Sequence, residues 1–395
     1  MTAAVREFVA GLDSEAFPAY VYDLAELRSQ LEAVRTALPP RVELYYAAKA
    51  NPEAAVLTAM RGIVDGYEVS SGGELAHVHE VVPEARLAFG GPGKTAAEIA
   101  LALRTGVHRW HVESVQEIHQ LAGALTATPD VTLDILLRVN LPVTAGSLDS
   151  VSLAMGGRPS PFGLDPEGAD ECMRLLSGPL GEQLRLQGIN AHLASGLGAS
   201  EQLLLAEQIV EWSKLFAEHY GHTLNEVNVG GGMAVDYADP GARFDWTAFG
   251  AGLEKLLDWH PGLTLRLEPG RALTAYCGWY VTEVLDVKRS HGEDFAVLKG
   301  GTHHLRTPAT KGHDQPFTVL PVTAWPHPWQ RPAARGLVTL TGQLCTPKDV
   351  LASRVPVGVI RAADRVLFEL AGAYAWNISH HNFLMHPPPT FHFLP

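Results

Sequence analysis

The stretch LYYAAKANP, residues 44–52, joins β-prone apolar residues and two alanines to a single lysine, Lys49, followed by a helix-breaking Asn-Pro pair. This order predicts a buried β-strand that ends at Lys49. Seven more strand-like runs occur before residue 275, and helical patterns separate several of them. The eight runs are VELYYAA, GYEVS, ARLAFGG, RWHVES, TLDILLRVN, LQGINAHLA, NEVNVGGG and LTLRLEPG.

Eight strand-helix units of this length predict an α/β fold, a parallel (β/α)₈ TIM barrel over residues 30–275. The chemistry of such barrels lies at the C-terminal ends of the strands, where Lys49 would stand. After residue 276 the pattern becomes β-rich, as in WYVTEVLDVKRS and DRVLFELAGAY. We therefore expect a second domain, a β-sandwich or β-barrel, formed by residues 276–395 together with residues 1–29, whose segment FPAYVYDLAEL would supply one strand.

The composition excludes several classes of protein. Hydrophobic residues make up 46% of the 395 residues, yet no apolar run approaches the roughly 18 residues of a membrane-spanning helix. The first residues lack the features of a signal peptide, which predicts a cytoplasmic protein. Cys172, Cys277 and Cys345 are odd in number and widely spaced, which favours neither a disulfide framework nor a thiolate metal site. A net charge of −13 disfavours nucleic acid as a partner.

Lys49 has two interpretations. A lysine at a strand end is most often a solvated cation or an ion-pair partner. At the mouth of a barrel, however, flanking apolar residues would desolvate the ammonium and lower its pKa, as an amine nucleophile requires. The second interpretation makes an aldehyde cofactor plausible.

Two other strand ends are suited to such a cofactor. NVGGGM carries Gly230, Gly231 and Gly232, whose bare backbone could approach an anion closely, although a tight βα turn explains the glycines equally well. EPGR brings Arg271 to the next strand end, where barrels commonly bind phosphate. Glu268 would be a poor neighbour for an anion, so we expect it to face a cation such as a protonated pyridine. The combination indicates pyridoxal phosphate.

These residues lie in motifs that resemble the fold-type III pyridoxal-phosphate decarboxylases, the group of diaminopimelate, ornithine and arginine decarboxylases. The resemblance runs in order over nearly the full length. It rests on YYAAKANP, GYEVSSGGEL, SPFGL, AHLAS, NVGGGM, EPGR, GQLCTPKDVL and AGAY. It implies an alanine-racemase-like barrel, a C-terminal β domain, and active sites shared between the two subunits of a homodimer.

The resemblance also assigns roles to individual residues. Lys49 would bind the cofactor covalently, His192 would stack on its ring, and Glu268 would contact its pyridinium. Cys345 would come from the partner subunit and act in catalysis together with Lys49 and His192. The phosphate would be held by Ser195, Gly230, Gly231, Gly232, Gly270, Arg271 and, from the second domain, Tyr374.

Glu268 also bears on the type of reaction. A carboxylate there keeps the cofactor ring protonated and electron-accepting, which favours decarboxylation, whereas alanine racemases of this fold have an arginine. One departure concerns cofactor contacts: Gly196 follows Ser195, where family members often have a polar residue.

The residue after the cysteine departs from the commoner members of the group. Diaminopimelate and ornithine decarboxylases have an acidic residue there that binds the distal amino group of the substrate, and this chain has Thr346. A basic segment appears instead, GGTHHLRTPATKGHDQPF, which contains His303, His304, Arg306 and Lys311. It could be a solvated loop, a chance cluster of histidines or a zinc site. We favour a loop that binds the carboxylates of the substrate.

CTPKD, GTHHLR and the tail segment WNISHHNFLMHP resemble the siderophore-pathway branch of this family, which decarboxylates citryl-diaminopropionate. The resemblance therefore implies a carboxylate-rich substrate, with His303, His304, Arg306, Lys311 and Thr346 as substrate-binding residues. The alternatives are decarboxylation of free diaminopimelate, ornithine or arginine, a cofactor-holding regulatory protein, and a zinc hydrolase.

Overall fold

The computed structural model describes residues 1–142, 156–308 and 312–395. It divides into two compact units. The first, the barrel domain, contains residues 30–234 and 244–273; the second, the β domain, contains residues 1–29, 235–243 and 274–395. Residues 235–243 group with the β domain, although their sequence lies among the barrel segments. None of the helices described is both long enough and apolar enough to span a bilayer.

The strands follow the apolar runs of the sequence. In chain order they are β1 (Ala19–Asp23), β2 (Val42–Ala47), β3 (Gly66–Val69), β4 (Leu87–Phe89), β5 (Arg109–Val112), β6 (Leu133–Arg138), β7 (Leu184–Asn190), β8 (Glu226–Asn228), β9 (Thr264–Leu267), β10 (Gly278–Ser290), β11 (Glu293–Leu298), β12 (Phe317–Leu320), β13 (Ala333–Thr341), β14 (Val350–Arg361), β15 (Arg365–Phe368) and β16 (Thr390–Leu394).

The helices lie mostly between the barrel strands. They are α1 (Ala3–Gly11), α2 (Leu24–Ala37), α3 (Ala54–Met60), α4 (Gly72–Val81), α5 (Ala96–Thr105), α6 (Val115–Leu125), α7 (Pro166–Leu176), α8 (Ala199–His219), α9 (Trp246–Trp259) and α10 (Arg271–Thr274). Three begin at the same signal, a Ser or Thr that precedes a Glu by three residues. The side chains of Ser71, Thr95 and Ser114 accept the backbone N–H of that glutamate and so fix where α4, α5 and α6 start.

Strands β2 to β9 form a closed barrel in which every pair is parallel. Strand β2 closes it, because Tyr45 pairs with Gly66 of β3 on one edge and Leu44 pairs with Leu267 of β9 on the other. The eight strands coincide with the eight apolar runs. The predicted (β/α)₈ barrel is thereby confirmed.

Charged side chains fill part of the barrel interior at the N-terminal side of the strands. The guanidinium of Arg266 is fully buried, 2.6 Å from Glu43 and 3.0 Å from Glu226. Glu226 also accepts from Arg109 at 2.7 Å. Because burying a charge without a partner is costly, each member of this network depends on the others.

The β domain is an eight-stranded sheet in the order β12-β15-β10-β11-β13-β14, with β1 paired to β10 and β16. The expected strand in FPAYVYDLAEL is confirmed as β1, antiparallel to β10. Sequence reasoning missed β12, β14 and β16. The Pro-rich tail forms β16, which runs parallel to β1 with Ala19 opposite Thr390.

Replacing Arg266 by Met tests the barrel network. We expect R266M to lower the free energy of unfolding by about 3 kcal/mol, since the buried Glu226 and the partly buried Glu43 each lose one of their two arginine partners. Arg185 also pairs with a carboxylate, Asp134, but its side chain is 53% exposed, so R185M should cost about 1 kcal/mol or less. Urea denaturation monitored by circular dichroism compares them. Equal losses would contradict the assigned role of Arg266.

Candidate active site

Lys49 lies just beyond the C-terminal end of β2, in a short 3₁₀ turn, Ala48–Ala50. Its Nζ donates to Glu68 Oε2 at 2.7 Å and to Ser70 Oγ at 3.3 Å. The expected desolvation is not observed, because the side chain is 46% exposed and is held by an ion pair. In the structure as described, Lys49 is therefore an ion-pair partner at the barrel rim.

Glu68 is the partner that sequence reasoning missed. It lies in β3 and its side chain is buried. Its Oε1 accepts from Ser70 Oγ at 2.7 Å. Burial favours a raised pKa, but the Lys49 ammonium and the hydrogen bonds from Lys49 and Ser70 outweigh it and hold the pKa of this carboxyl below its usual value. The sequence signal that could have revealed it was a single glutamate inside the apolar strand run GYEVS.

The glycine run follows β8 and forms a turn that only glycine can make. Gly230 and Gly232 have φ of 73° and 98°. A Cβ on Gly231 would lie 2.5 Å from the Glu268 carbonyl oxygen, and one on Gly232 would lie 2.3 Å from that of Ala194. The bare backbone is thus required to bring the ends of β7, β8 and β9 together.

His192 lies two residues beyond β7, against this turn. Its Nδ1 accepts the N–H of Gly231 at 3.2 Å, and its Nε2 lies 3.4 Å from Ser195 Oγ. Burial, followed by the charges of Arg138 and Lys49, lowers the pKa of His192 to about 4. The ring is therefore neutral near pH 7, with Nδ1 as an acceptor.

Glu268 follows β9 directly and is nearly buried. Asn228 donates to Oε1 at 2.7 Å and also accepts the N–H of Gly230 at 2.9 Å, which links the carboxyl to the glycine turn. Burial and then the charge of Glu68 raise the pKa of Glu268 to about 7, against the opposing effects of Arg266, Asn228 and Lys49. A buried carboxyl in this state gains stability when a cation is placed beside it.

Two more polar residues of this rim were not predicted. His111 Nε2 lies 3.6 Å from Glu268 Oε1, and burial followed by several nearby cations lowers its pKa well below the usual value. Arg138 donates to Glu113 at 2.8 Å and lies over the ring of Phe162, which belongs to the SPFGL motif. Both residues lie inside apolar strand runs, and the sequence alone does not indicate which face of the strand carries their side chains.

Arg271 begins α10 immediately after Gly270, at the end of the segment that follows β9. Both residues are partly buried. Together with Ser195 and the glycine turn they belong to the barrel domain, as the sequence pattern predicts. Their assignment to a phosphate stays a prediction.

The β domain carries the other predicted residues. Tyr374 is half-buried, has a φ of 48°, and its carbonyl accepts from Thr307 Oγ1 at 2.5 Å. The Cys345 thiol is exposed, whereas Cys172 and Cys277 are buried. Thr346 is partly buried beside Cys345. Their roles in cofactor binding, catalysis and substrate binding stay predictions.

The histidine segment is not a solvated loop where it contains His303 and His304, since both side chains are buried. His304 Nε2 donates to the Pro387 carbonyl at 3.1 Å, so Nδ1 accepts from the Tyr280 hydroxyl at 3.2 Å. Among the described residues, neither ring nitrogen of His303 has a hydrogen-bond partner. The two rings lie 3.8 Å apart.

Burial is the largest cause of the pKa shifts of His303 and His304. It lowers the pKa of His303 to about 4 and that of His304 to about 3, and neighbouring histidines add to the effect. Both rings are therefore neutral near pH 7. Arg306 is exposed, and Lys311 lies outside the described residues. No group of three metal-binding side chains occurs within residues 1–142, 156–308 and 312–395.

A closed parallel barrel, joined in the same chain to a β domain, is also the fold of solved decarboxylases. A diaminopimelate decarboxylase from Helicobacter pylori, solved with L-lysine, superposes with a TM-score of 0.80 at 22% identity, covering 95% of this chain and 90% of that one. At this identity the likeness concerns the fold alone. It agrees with the expected barrel and β domain.

Sequence comparison defines the family. The family model for the pyridoxal-binding domain of pyridoxal-dependent decarboxylases matches residues 24–275. The 2-[(L-alanin-3-ylcarbamoyl)methyl]-2-hydroxybutanedioate decarboxylase of Staphylococcus aureus is 37% identical over 99% of this chain and 98% of its own length. A diaminopimelate decarboxylase of Bacteroides thetaiotaomicron is 28% identical, with 90% of each chain covered. The chain belongs to the pyridoxal-dependent decarboxylases and is an enzyme that uses pyridoxal phosphate.

The raised pKa of Glu268 makes a testable contribution to stability. Below about pH 4.5 the carboxyl is neutral in both the folded and unfolded states, and above about pH 7 it is ionised in both, so the folded protein loses stability across this interval. The substitution Glu268→Gln removes the titrating group and therefore this pH-dependent loss of stability. In cofactor-free protein, E268Q should therefore be more stable relative to wild type at pH 8 than at pH 5, by on the order of 1 to 3 kcal/mol.

Chemical denaturation at the two pH values measures this difference. Glu254 is exposed on α9, and E254Q controls for the change in net charge. Its stability relative to wild type should differ by less than about 0.5 kcal/mol between the two conditions. A benefit of E268Q that is larger at pH 5 would contradict the assigned environment of Glu268.

Proposed function

We propose that this decarboxylase removes the α-carboxylate of citryl-diaminopropionate, a reaction of siderophore biosynthesis. The observation that carries the proposal is the 37% identity, over 99% of the chain, to the Staphylococcus aureus enzyme named above. The substrate in that name is a citrate with one carboxyl in an amide bond to the side-chain amine of 2,3-diaminopropionate. It retains a free amino acid group at one end and carboxylates at the other.

The barrel rim fits the cofactor of the family. Pyridoxal phosphate, when bound, supplies an aldehyde for amine exchange and a ring that accepts the electrons released with CO₂. Lys49 would hold the aldehyde end, the neutral His192 ring would lie against the cofactor ring, and the buried Glu268 would face the pyridine nitrogen. The phosphate would occupy the backbone cradle of Gly230, Gly231 and Gly232, with Ser195, Gly270, Arg271 and Tyr374.

Glu268 supports the match most directly. Its pKa is raised because it is buried close to the ionised Glu68, and a cation beside it would relieve that cost. A protonated pyridine nitrogen is such a cation. The same pairing keeps the ring electron-accepting, which decarboxylation requires.

Other residues of the chain would position the Lys49 amine and supply a proton. Glu68 keeps the Lys49 amine at the end of β2, 2.7 Å from its own carboxylate, and the low pKa of Glu68 means that it orients the ammonium without taking its proton. After CO₂ leaves, Cα of the substrate needs a proton. Cys345 Sγ, contributed by the partner subunit of a cytoplasmic homodimer, would donate it.

Substrate selection belongs to the β domain in this proposal. Thr346 offers no negative charge for a distal ammonium, which disfavours diaminopimelate, ornithine and arginine. His303, Arg306 and Lys311 would bind the citryl carboxylates and hydroxyl. His304, expected from the sequence to join them, has both ring nitrogens hydrogen-bonded to Tyr280 and Pro387 and would position the segment instead. Because the two histidines are neutral, the permanent positive charge would come from Arg306 and Lys311.

A CO₂-release assay on purified holoenzyme tests the substrate. We expect turnover of citryl-diaminopropionate with a kcat/KM at least about 100-fold higher than that for diaminopimelate, ornithine or arginine, which corresponds to the loss of one buried charge pair. Diaminopropionate without the citryl group serves as a matched comparison. Preference for a free diamino acid would reject the substrate and leave the decarboxylase class intact.

Replacing Lys49 by Gln tests the cofactor linkage. K49Q should lose the visible absorbance of the lysine-bound cofactor and reduce CO₂ release by on the order of 10³-fold or more, because the amine that exchanges with the substrate is gone. Lys255 is exposed on α9, and K255Q should retain both properties. Normal turnover by K49Q would rule out the proposed role of Lys49.

A further inference from the structure

A buried carboxylate, Asp349, lies in the loop between β13 and β14, four residues after Cys345. Its side chain is 2% exposed. Its Oδ2 accepts the backbone N–H of Leu344 at 2.8 Å, and its Oδ1 accepts both the N–H and the hydroxyl of Thr302, at 2.6 and 2.8 Å. One side chain thus joins the residue before Cys345 to the residue before His303.

The donors to Asp349 are neutral groups, and no ion pair connects it to another residue of the described ranges. A buried carboxylate without a counter-ion contributes little to stability, because its desolvation offsets its hydrogen bonds. Neutral donors arranged around such a group fix its geometry instead. The arrangement indicates a role in positioning.

The surrounding backbone is shaped around this carboxylate. A Cβ on Gly301 would lie 2.6 Å from both carboxylate oxygens, and one on Gly342 would lie 2.2 Å from Oδ2. A second connection runs alongside, since Gln343 Oε1 accepts the N–H of Gly300 at 2.7 Å and the Gly300 carbonyl accepts the N–H of Gln343 at 2.8 Å. Two adjacent sets of hydrogen bonds therefore connect the cysteine loop, residues 342–349, to residues 300–304 of the histidine segment.

The histidine segment presents a group that lacks a partner. His303 is fully buried, and among the described residues neither of its ring nitrogens is hydrogen-bonded. His304 differs, because both of its ring nitrogens are engaged within the β domain. Of the two rings, His303 is the one with hydrogen-bonding capacity left for a substrate.

We propose that Asp349 is a positioning residue that fixes the Cys345 thiol relative to the His303 ring, so that proton donation and recognition of the substrate acyl group are set by one carboxylate. This inference rests on the proposed function for the roles of Cys345 and His303. The hydrogen-bonded connection from Thr302 through Asp349 to Leu344 does not depend on which substrate the enzyme uses.

The rate at which iodoacetamide alkylates Cys345 in the holoenzyme measures that link without any substrate. Cys345 is the exposed thiol, and peptide mass spectrometry distinguishes it from buried Cys172 and Cys277. In D349N one accepting oxygen remains, so the side chain can no longer accept both the N–H of Leu344 and the N–H of Thr302. T302V removes only the hydroxyl donor, on the side of Asp349 away from the cysteine.

We expect T302V and D349N to change the alkylation rate by about three- to tenfold, the factor that corresponds to one lost hydrogen bond. T302S keeps a hydroxyl and should restore the wild-type rate. Asp23 supplies a matched control, because it is a buried carboxylate of the same domain with neutral donors, the hydroxyl of Thr2 at 2.7 Å and the N–H of Glu26 at 3.0 Å. D23N should leave the Cys345 rate within about twofold of wild type, since the hydrogen bonds of the Asp23 side chain go to Thr2 and Glu26 and not to the loop.

Unchanged alkylation in T302V and D349N, or an equal change in D23N, would overturn the proposal. If D349N does not fold, T302V and T302S decide the question. Turnover separates this result from the proposed function: altered alkylation in an enzyme that ignores citryl-diaminopropionate would keep the link and reject the substrate. With an active substrate, T302V should lower kcat in parallel with the change at the thiol.

Discussion

The pairing of β2 on both of its edges is the constraint on which the active site depends. Strand β2 lies between β3 and β9, and these two pairings close the barrel. Closure brings the ends of three strands, separated by some two hundred residues of sequence, to one rim. Lys49 follows β2, Glu68 lies in β3 and Glu268 follows β9, so the site exists only when the barrel is closed.

The two buried carboxyls at this rim differ in the charges that surround them. Of the two buried carboxyls, Glu68 pairs with Lys49 at 2.7 Å, whereas Glu268 lies beside the neutral side chains of Asn228 and His111. Glu68 is therefore ionised, and its charge helps to raise the pKa of Glu268 to about 7, after the larger effect of burial. The protein carries an electrostatic cost in the absence of a second cation and recovers it when a cation binds beside Glu268.

The sequence predicted the barrel because each strand is an apolar run that is buried in a parallel sheet. It also located Lys49 and the glycine turn, because strand ends are visible in sequence. It missed Glu68, His111 and Asn228, which are single polar residues inside apolar runs and acquire partners only when distant strands meet. The Pro-rich tail concealed β16, because a strand that pairs on one edge tolerates residues that a central strand does not.

The histidine segment illustrates a different limit. The residue types suggested a basic loop that binds carboxylates, whereas burial makes His303 and His304 neutral. Whether a histidine is a cation or a neutral hydrogen-bonding ring is decided by its surroundings, since its ordinary pKa lies close to physiological pH. Residue type alone could not separate the two states.

Strand β1 pairs with β16 at the opposite end of the chain, Ala19 against Thr390. The barrel strands all lie between residues 42 and 267, so the barrel has every strand it needs well before translation finishes. The sheet of the β domain lacks its last strand until residues 390–394 have left the ribosome. Contacts of such long sequence separation form slowly. The full set of barrel strands therefore leaves the ribosome before the last strand of the domain that carries the thiol and the histidines.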